Sequence, residues 1–181
     1  MPDNISAGQG EISINDLLQT YENGEEFTNE QVDVIADIAI TSLREILACF
    51  GETTCSIDEY DGGSGELILD ISGGDLAVLI GRHGRVLDSL QLLVSSLLSK
   101  KLGFHFPIVV DIEGYKNRRK QKVQEIALTA AARAKRTGRV HLRPMSAYER
   151  RLVHLTLLND EQVVTHSEGE DLERHVVITR V

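Results

Sequence analysis

Aromatic side chains are scarce in this sequence. Four Phe, four Tyr and no Trp make up 4% of 181 residues. A platform of stacked rings, a common device for holding unpaired bases, is therefore not expected. Cysteine is nearly absent. Cys49 lies in an apolar helical pattern and Cys55 in a strand-like one. Two such residues make no disulfide framework, and reduced thiols fit a cytosolic protein. No apolar run approaches the roughly 20 residues that span a bilayer, so membrane insertion is not expected. The first 15 residues show neither a basic n-region nor an apolar h-region, and are not read as a secretory signal.

Catalytic patterns are missing as well. There is no phosphate-binding loop ending in Gly-Lys-Ser/Thr and no nucleophile-elbow pattern. Six histidines (His83, His105, His141, His154, His166 and His175) are scattered without metal-ligand spacing. Asp58, Glu59 and Asp61 cluster in a segment that reads as a turn. A solvated acidic hairpin explains them better than a nuclease metal site. The expectation is a non-enzyme with no metal and no cofactor.

Basic residues are almost absent from the front of the chain. Residues 1–74 hold 16 Asp/Glu and a single basic residue, Arg44. Residues 75–181 hold 18 Lys/Arg against 12 Asp/Glu, and within 82–151 the ratio is 16 to five. The formal net charge of −9 thus hides a basic middle, and an electrostatic footprint is a local property.

Residues 1–28 read mainly as an acidic, flexible, solvating tail. The alternative is a short docking helix built on Ile12, Ile14, Leu17, Leu18 and Tyr21. Thr28-Asn29-Glu30-Gln31 is a capping box, and apolar residues follow it at helical spacing to Leu47. Strands are expected at 53–57 and 66–71, with a Gly- and Asp-rich turn at 58–65. A short helix at 76–80, a Gly-x-x-Gly loop, a longer helix at 85–102 and a strand at 106–112 complete an α-β-β-α-α-β order. The stripe Val86, Leu87, Leu90, Leu93, Val94, Leu97 and Leu98 is the expected buried face of the longer helix.

A basic amphipathic helix is expected at 115–136. Lys116, Arg118, Arg119, Lys120 and Lys122 crowd its start, where positive charge opposes the helix dipole. A polyanion facing these residues would account for them; a solvated face is the alternative. A second capping box, Ser146-Ala147-Tyr148-Glu149, opens a helix running to about 158. Strands at 163–166 and 175–181 follow, joined by an acidic turn.

The most informative segment is Ile80-Gly81-Arg82-His83-Gly84. Two glycines allow a sharp turn and a close approach of the backbone. The N–H groups opening the next helix favour an anion, and Arg82 and His83 add donors at the tip. With Leu87 at the final aliphatic position and the α-β-β-α-α-β order around it, the segment resembles the prokaryotic-type KH domain. In that family this loop clamps the backbone of single-stranded nucleic acid. The resemblance implies that Arg82 and His83 face phosphates and that Arg85 supports them. Leu87, where the usual residue is Ile, is a conservative departure.

Arg150 and His154 stand four apart, hence on one helix face. The stretch from Pro144 to His154, followed by His166-Ser167-Glu168-Gly169-Glu170, is similar to the small nucleic-acid-binding domain named for its Arg-x-x-x-His motif. A KH domain followed directly by such a domain resembles the bacterial Jag (KhpB/EloR) family. Asp111-Ile112-Glu113-Gly114-Tyr115 at the junction adds to the match. Many members carry a further N-terminal domain and a long linker. Here only about 28 acidic residues precede the first expected helix, so nothing attributed to that domain is carried over.

The expected fold is α+β: a KH domain at 29–113, then an Arg-x-x-x-His domain at 114–181 with two helices on a three-stranded sheet. The expected function is binding of single-stranded RNA. The candidate residues are Gly81, Arg82, His83, Gly84, Arg85, Arg143, Arg150 and His154. The resemblance further implies a post-transcriptional role in envelope growth and division, and a small single-domain KH partner. Homodimerisation through the KH fold, as a protein-interaction adaptor, is the alternative.

Overall fold

The computed structural model describes residues 12–63 and 65–181. The beginning of the expected tail and one residue of the 58–65 turn lie outside the described residues. The chain divides into two compact units. One runs up to Leu76 and includes Asp88–Val110; the other takes Ala77–Leu87 and Asp111–Val181. The Gly-x-x-Gly loop is thus grouped with the second unit.

The first unit begins with a correction to the expected tail. Ile14–Glu22 is a helix, α1. A capping box closes its start: Ser13 Oγ accepts from Asp16 N, and Asp16 Oδ2 accepts from Ser13 N at 2.8 Å. Leu17 is completely buried, and the Tyr21 ring stacks on Phe104 at 4.5 Å, with Phe27 on the same ring at 5.6 Å. Burial of Leu17 and ring stacking offset the ordering entropy that an acidic composition leaves uncompensated.

Helix α2 (Asn29–Cys49) starts at the expected Thr28/Gln31 box and buries Ile35, Ala36, Ala39, Leu43 and Leu47. Strands β1 (Ser56–Asp61) and β2 (Leu67–Ser72) pair antiparallel, with Glu59 opposite Leu69. β1 thus extends into the segment expected as a turn, because pairing with β2 overrides the low strand propensity of Asp and Glu. β2 alternates buried and half-buried residues, as a strand with one covered face should. Strand β3 (Ile108–Ile112) completes the sheet in the order β1-β2-β3.

Between them come helix α3 (Ala77–Ile80), a single turn at Arg82–Gly84 and helix α4 (Arg85–Leu102). The order is the expected α-β-β-α-α-β. The stripe on α4 needs one correction: Leu87, Leu90, Val94, Leu98 and Leu102 are buried, but Leu93 is 51% exposed, beside Leu92 at 67%. Burial follows a strict i, i+3/i+4 path, and Leu93 lies one position off it.

The second unit holds helices α5 (Tyr115–Thr137) and α6 (Ala147–Thr156) with strands β4 (Arg139–His141), β5 (Val163–Glu168) and β6 (His175–Arg180). The three strands form an antiparallel sheet, order β4-β6-β5. Two helices on a three-stranded sheet is the expected arrangement, and the α+β class holds. Val123, Ala127, Ala130, Ala131 and Ala134 of α5 pack with Val153 and Leu157 and with the sheet residues Val140, Val163, Val176 and Ile178. The small alanines let the helix lie close to the sheet.

Candidate nucleic-acid interface

The loop after α3 is left-handed at three of its four positions. Gly81, His83 and Gly84 have φ of 67°, 59° and 81°. Glycine is required at both ends for different reasons. A Cβ on Gly81 would stand 2.3 Å from Val86 Cγ2, and one on Gly84 would stand 2.9 Å from Tyr115 Cε1. Gly84 is buried, while Arg82 and His83 are exposed at the tip. His83 tolerates the left-handed region better than a β-branched residue would.

His83 is anchored from α5. Arg119 Nη2 lies 2.8 Å from His83 Nδ1. A guanidinium only donates, so Nδ1 must be the acceptor and the imidazole proton sits on Nε2. The loop therefore presents an N–H donor beside Arg82. Arg119 is itself fixed: its Nε donates to Glu149 Oε1 at 2.7 Å, and Glu149 is only 4% exposed. Glu149 is also the reciprocal member of the α6 capping box, its Oε2 accepting from Ser146 N.

Other cations at the start of α5 have partners within the chain. Arg118 Nη1 donates to the Glu113 carbonyl, and Lys122 pairs with Glu125 at 2.9 Å. The helix N-terminus is relieved by Asp111, whose Oδ1 accepts from Lys116 N at 3.1 Å and from Ile112 N at 2.8 Å. Glu113 and Gly114, both left-handed at φ 48° and 66°, make the sharp entry. The crowding of positive charge thus has an internal explanation for part of the cluster; Lys120 remains exposed.

A cavity of about 650 Å³ opens beside this loop. His83, Arg119, Lys122, Arg133, His141 and Arg143 give it a basic rim, with Glu125 as the one acid among the described residues. Its floor is aliphatic: Ile126, Ala130, Val140, Leu142, Pro144 and Met145. Among the described residues no ring of Phe, Tyr or Trp lines it, consistent with the low aromatic content.

Arg150 and His154 lie on a different surface. With Ala147, Arg151, Leu155 and Ser167 they line a shallower groove of about 410 Å³. His154 is held by β5: Nδ1 lies 2.7 Å from Thr165 Oγ1, and Nε2 lies 3.1 Å from Ser167 Oγ. Desolvation, the Arg150 charge and His166 push its pKa below the ordinary 6.5. The ring is therefore a neutral, fully bonded spacer. Arg150 is half-buried, and its Nε is buried with no hydrogen-bond partner among the described residues. Of the predicted residues, the structure brings His83 and Arg143 to one cavity and Arg150 and His154 to another. Arg85 is half-buried at the start of α4.

The sequence matches two family models in this order. Residues 41–112 match the KhpA/KhpB KH domain. Residues 121–180 match the domain named for its Arg-x-x-x-His motif. A protein of Clostridium symbiosum named RNA-binding protein KhpB is 38% identical over 148 residues, covering 81% of this chain and 67% of its own length. The chain belongs to the KhpB family. The Bacillus subtilis KhpB is 30% identical over 83% of this chain and 72% of its own length. For the KhpB of Lactiplantibacillus plantarum the figures are 33%, 74% and 42%, so this chain spans less than half of that relative.

The partners that fix these side chains in a KhpB-type chain are what sequence reasoning misses. It reads Arg119 as one of five like charges, and Glu149 only as a helix cap. Thr165 and Ser167 escape it, although their i, i+2 spacing puts both hydroxyls on one face of a strand.

Proposed function

We propose that this chain is a non-enzymatic, cytosolic, single-stranded RNA-binding protein, with a KH domain at about 29–113 and an Arg-x-x-x-His domain at about 114–181. The observation that carries the reading is the Arg119–His83 contact. It links the phosphate-gripping type of loop to a basic-rimmed, aliphatic-floored cavity where Arg143 lies. A strand whose phosphates meet Arg82, His83 Nε2–H and the Gly84 backbone would find space for bases over that floor. Without aromatic rings, aliphatic groups and Arg planes would cover the bases. Arg150, with its unpartnered Nε, would supply a second phosphate contact, oriented by His154. Two weak sites on one chain gain affinity through effective concentration. The curated relatives are named RNA-binding proteins, which supports RNA as the polymer.

The finer role belongs to the same proposal: post-transcriptional control linked to envelope growth and division, with a small single-domain KH protein as partner. In-cell crosslinking followed by sequencing tests it. Enrichment of a defined set of transcripts, lost in the Arg82→Asp/His83→Asp variant, is the expected result. Equal recovery of RNA by the variant would sink the reading. A second reading, an adaptor that dimerises through the KH fold, is favoured by adjacent Leu92 and Leu93, exposed on α4. A monomer at all concentrations in analytical ultracentrifugation would dispose of homodimerisation.

A further inference from the structure

The outer face of the β4-β6-β5 sheet gathers residues that are scattered along the sequence. In β6, Val176 and Ile178 point into the core, so His175 falls on the opposite face. Glu168 is the direct cross-strand neighbour of His175, and His141 pairs with Val177 on the same face. One donor atom from each of His141, Glu168 and His175 lies within 4.8 Å of the others.

The hydrogen bonds around this trio set its chemistry. His175 Nδ1 lies 2.9 Å from the Glu173 carbonyl oxygen, which can only accept, so the ring proton is on Nδ1. His175 Nε2 therefore carries a lone pair, and it faces His141 Nδ1 at 3.3 Å. Two ligand atoms bound at about 2.0–2.1 Å to a tetrahedral zinc ion stand about 3.3–3.4 Å apart, so this pair is already at a ligand edge. A backbone carbonyl orienting a ligating imidazole is the usual outer support of such sites. Glu168 bonds to His166 Nε2 and to Arg139 through Oε1, which leaves Oε2 for an ion. Two imidazoles and a carboxylate suit a borderline divalent ion rather than Ca²⁺ or Mg²⁺.

We propose that His141, Glu168 and His175 form a binding site for one divalent transition-metal ion of the zinc class, with water completing the shell. The ion would clip the three-residue strand β4 to β5 and β6. This stands independently of RNA binding.

The test is calorimetric titration of Zn²⁺ into the full chain at neutral pH under reducing conditions, with Co²⁺ absorption as a second readout. One equivalent should bind, and thermal unfolding of the protein should move upward. His141→Ala/His175→Ala should weaken binding by about 10–100-fold or more, while His105→Ala, elsewhere on the surface, should not. The milder His175→Gln, checked for its fold by circular dichroism, should show the same loss. Undiminished affinity in the folded His175→Gln variant, no stoichiometric binding, or loss on Cys49→Ser in place of the histidine variants would overturn the proposal.

Discussion

Arg119 Nε lies 2.7 Å from Oε1 of the buried Glu149. The same guanidinium reaches His83, so the α6 cap and the Gly-x-x-Gly tip share one side chain. Removing one partner of a buried pair leaves the other charge unmatched. Arg119→Met should therefore destabilise the second unit by on the order of 3 kcal/mol. Glu149→Gln should cost less, because Gln preserves the capping geometry and carries no charge. Urea unfolding of both variants checks the order. Equal losses would mean that the pair acts only as a cap.

His154 titrates below its ordinary 6.5, chiefly through desolvation and then through Arg150. The sign of the linkage follows. With the folded pKa depressed, the stability contribution is full above about 6.5 and is lost as pH falls through the lower folded value. NMR titration of the ring should give a midpoint below 6.5, and Arg150→Ala should move it up. A midpoint at or above 6.5 would contradict the burial and contacts described.

The loop glycines and the loop tip should separate experimentally. Gly84→Ala places a Cβ 2.9 Å from Tyr115 in a left-handed backbone, at a cost of about 1–3 kcal/mol. Replacing the glycines therefore confounds binding with folding. Arg82→Asp/His83→Asp alters only exposed side chains, and Asp tolerates φ near 59°. Thermal unfolding should shift for the first variant and stay nearly constant for the second.

Leu17 ties α1 to the first unit. Leu17→Ala should cost about 2–5 kcal/mol, the range for fully buried leucines. A loss below about 0.5 kcal/mol, typical of surface sites, would restore the view of this segment as a solvated tail.

Much of this architecture is legible in the sequence. Thr28/Gln31 and Ser146/Glu149 announce α2 and α6, and the Gly81–Gly84 spacing announces the loop. What stays hidden depends on contacts distant along the chain. Acidic composition masks α1, whose order comes from Phe104, far along the sequence from Tyr21. Leu93 reads as buried because helical periodicity tolerates a neighbouring position. Arg119 reads as a free cation because its partners, His83 and Glu149, lie 36 and 30 residues away. His141 and His175 look unrelated until strand register brings them together.

The central claim is that the Gly81–Gly84 loop grips RNA. Fluorescence anisotropy of a labelled single-stranded RNA, measured over a salt series, tests it directly. The wild-type chain should lose affinity with salt at a log–log slope of about −0.7 per neutralised phosphate. The folded Arg82→Asp/His83→Asp variant should bind far more weakly and with a shallower slope. Binding of the same strength and slope in wild type and variant would contradict the claim.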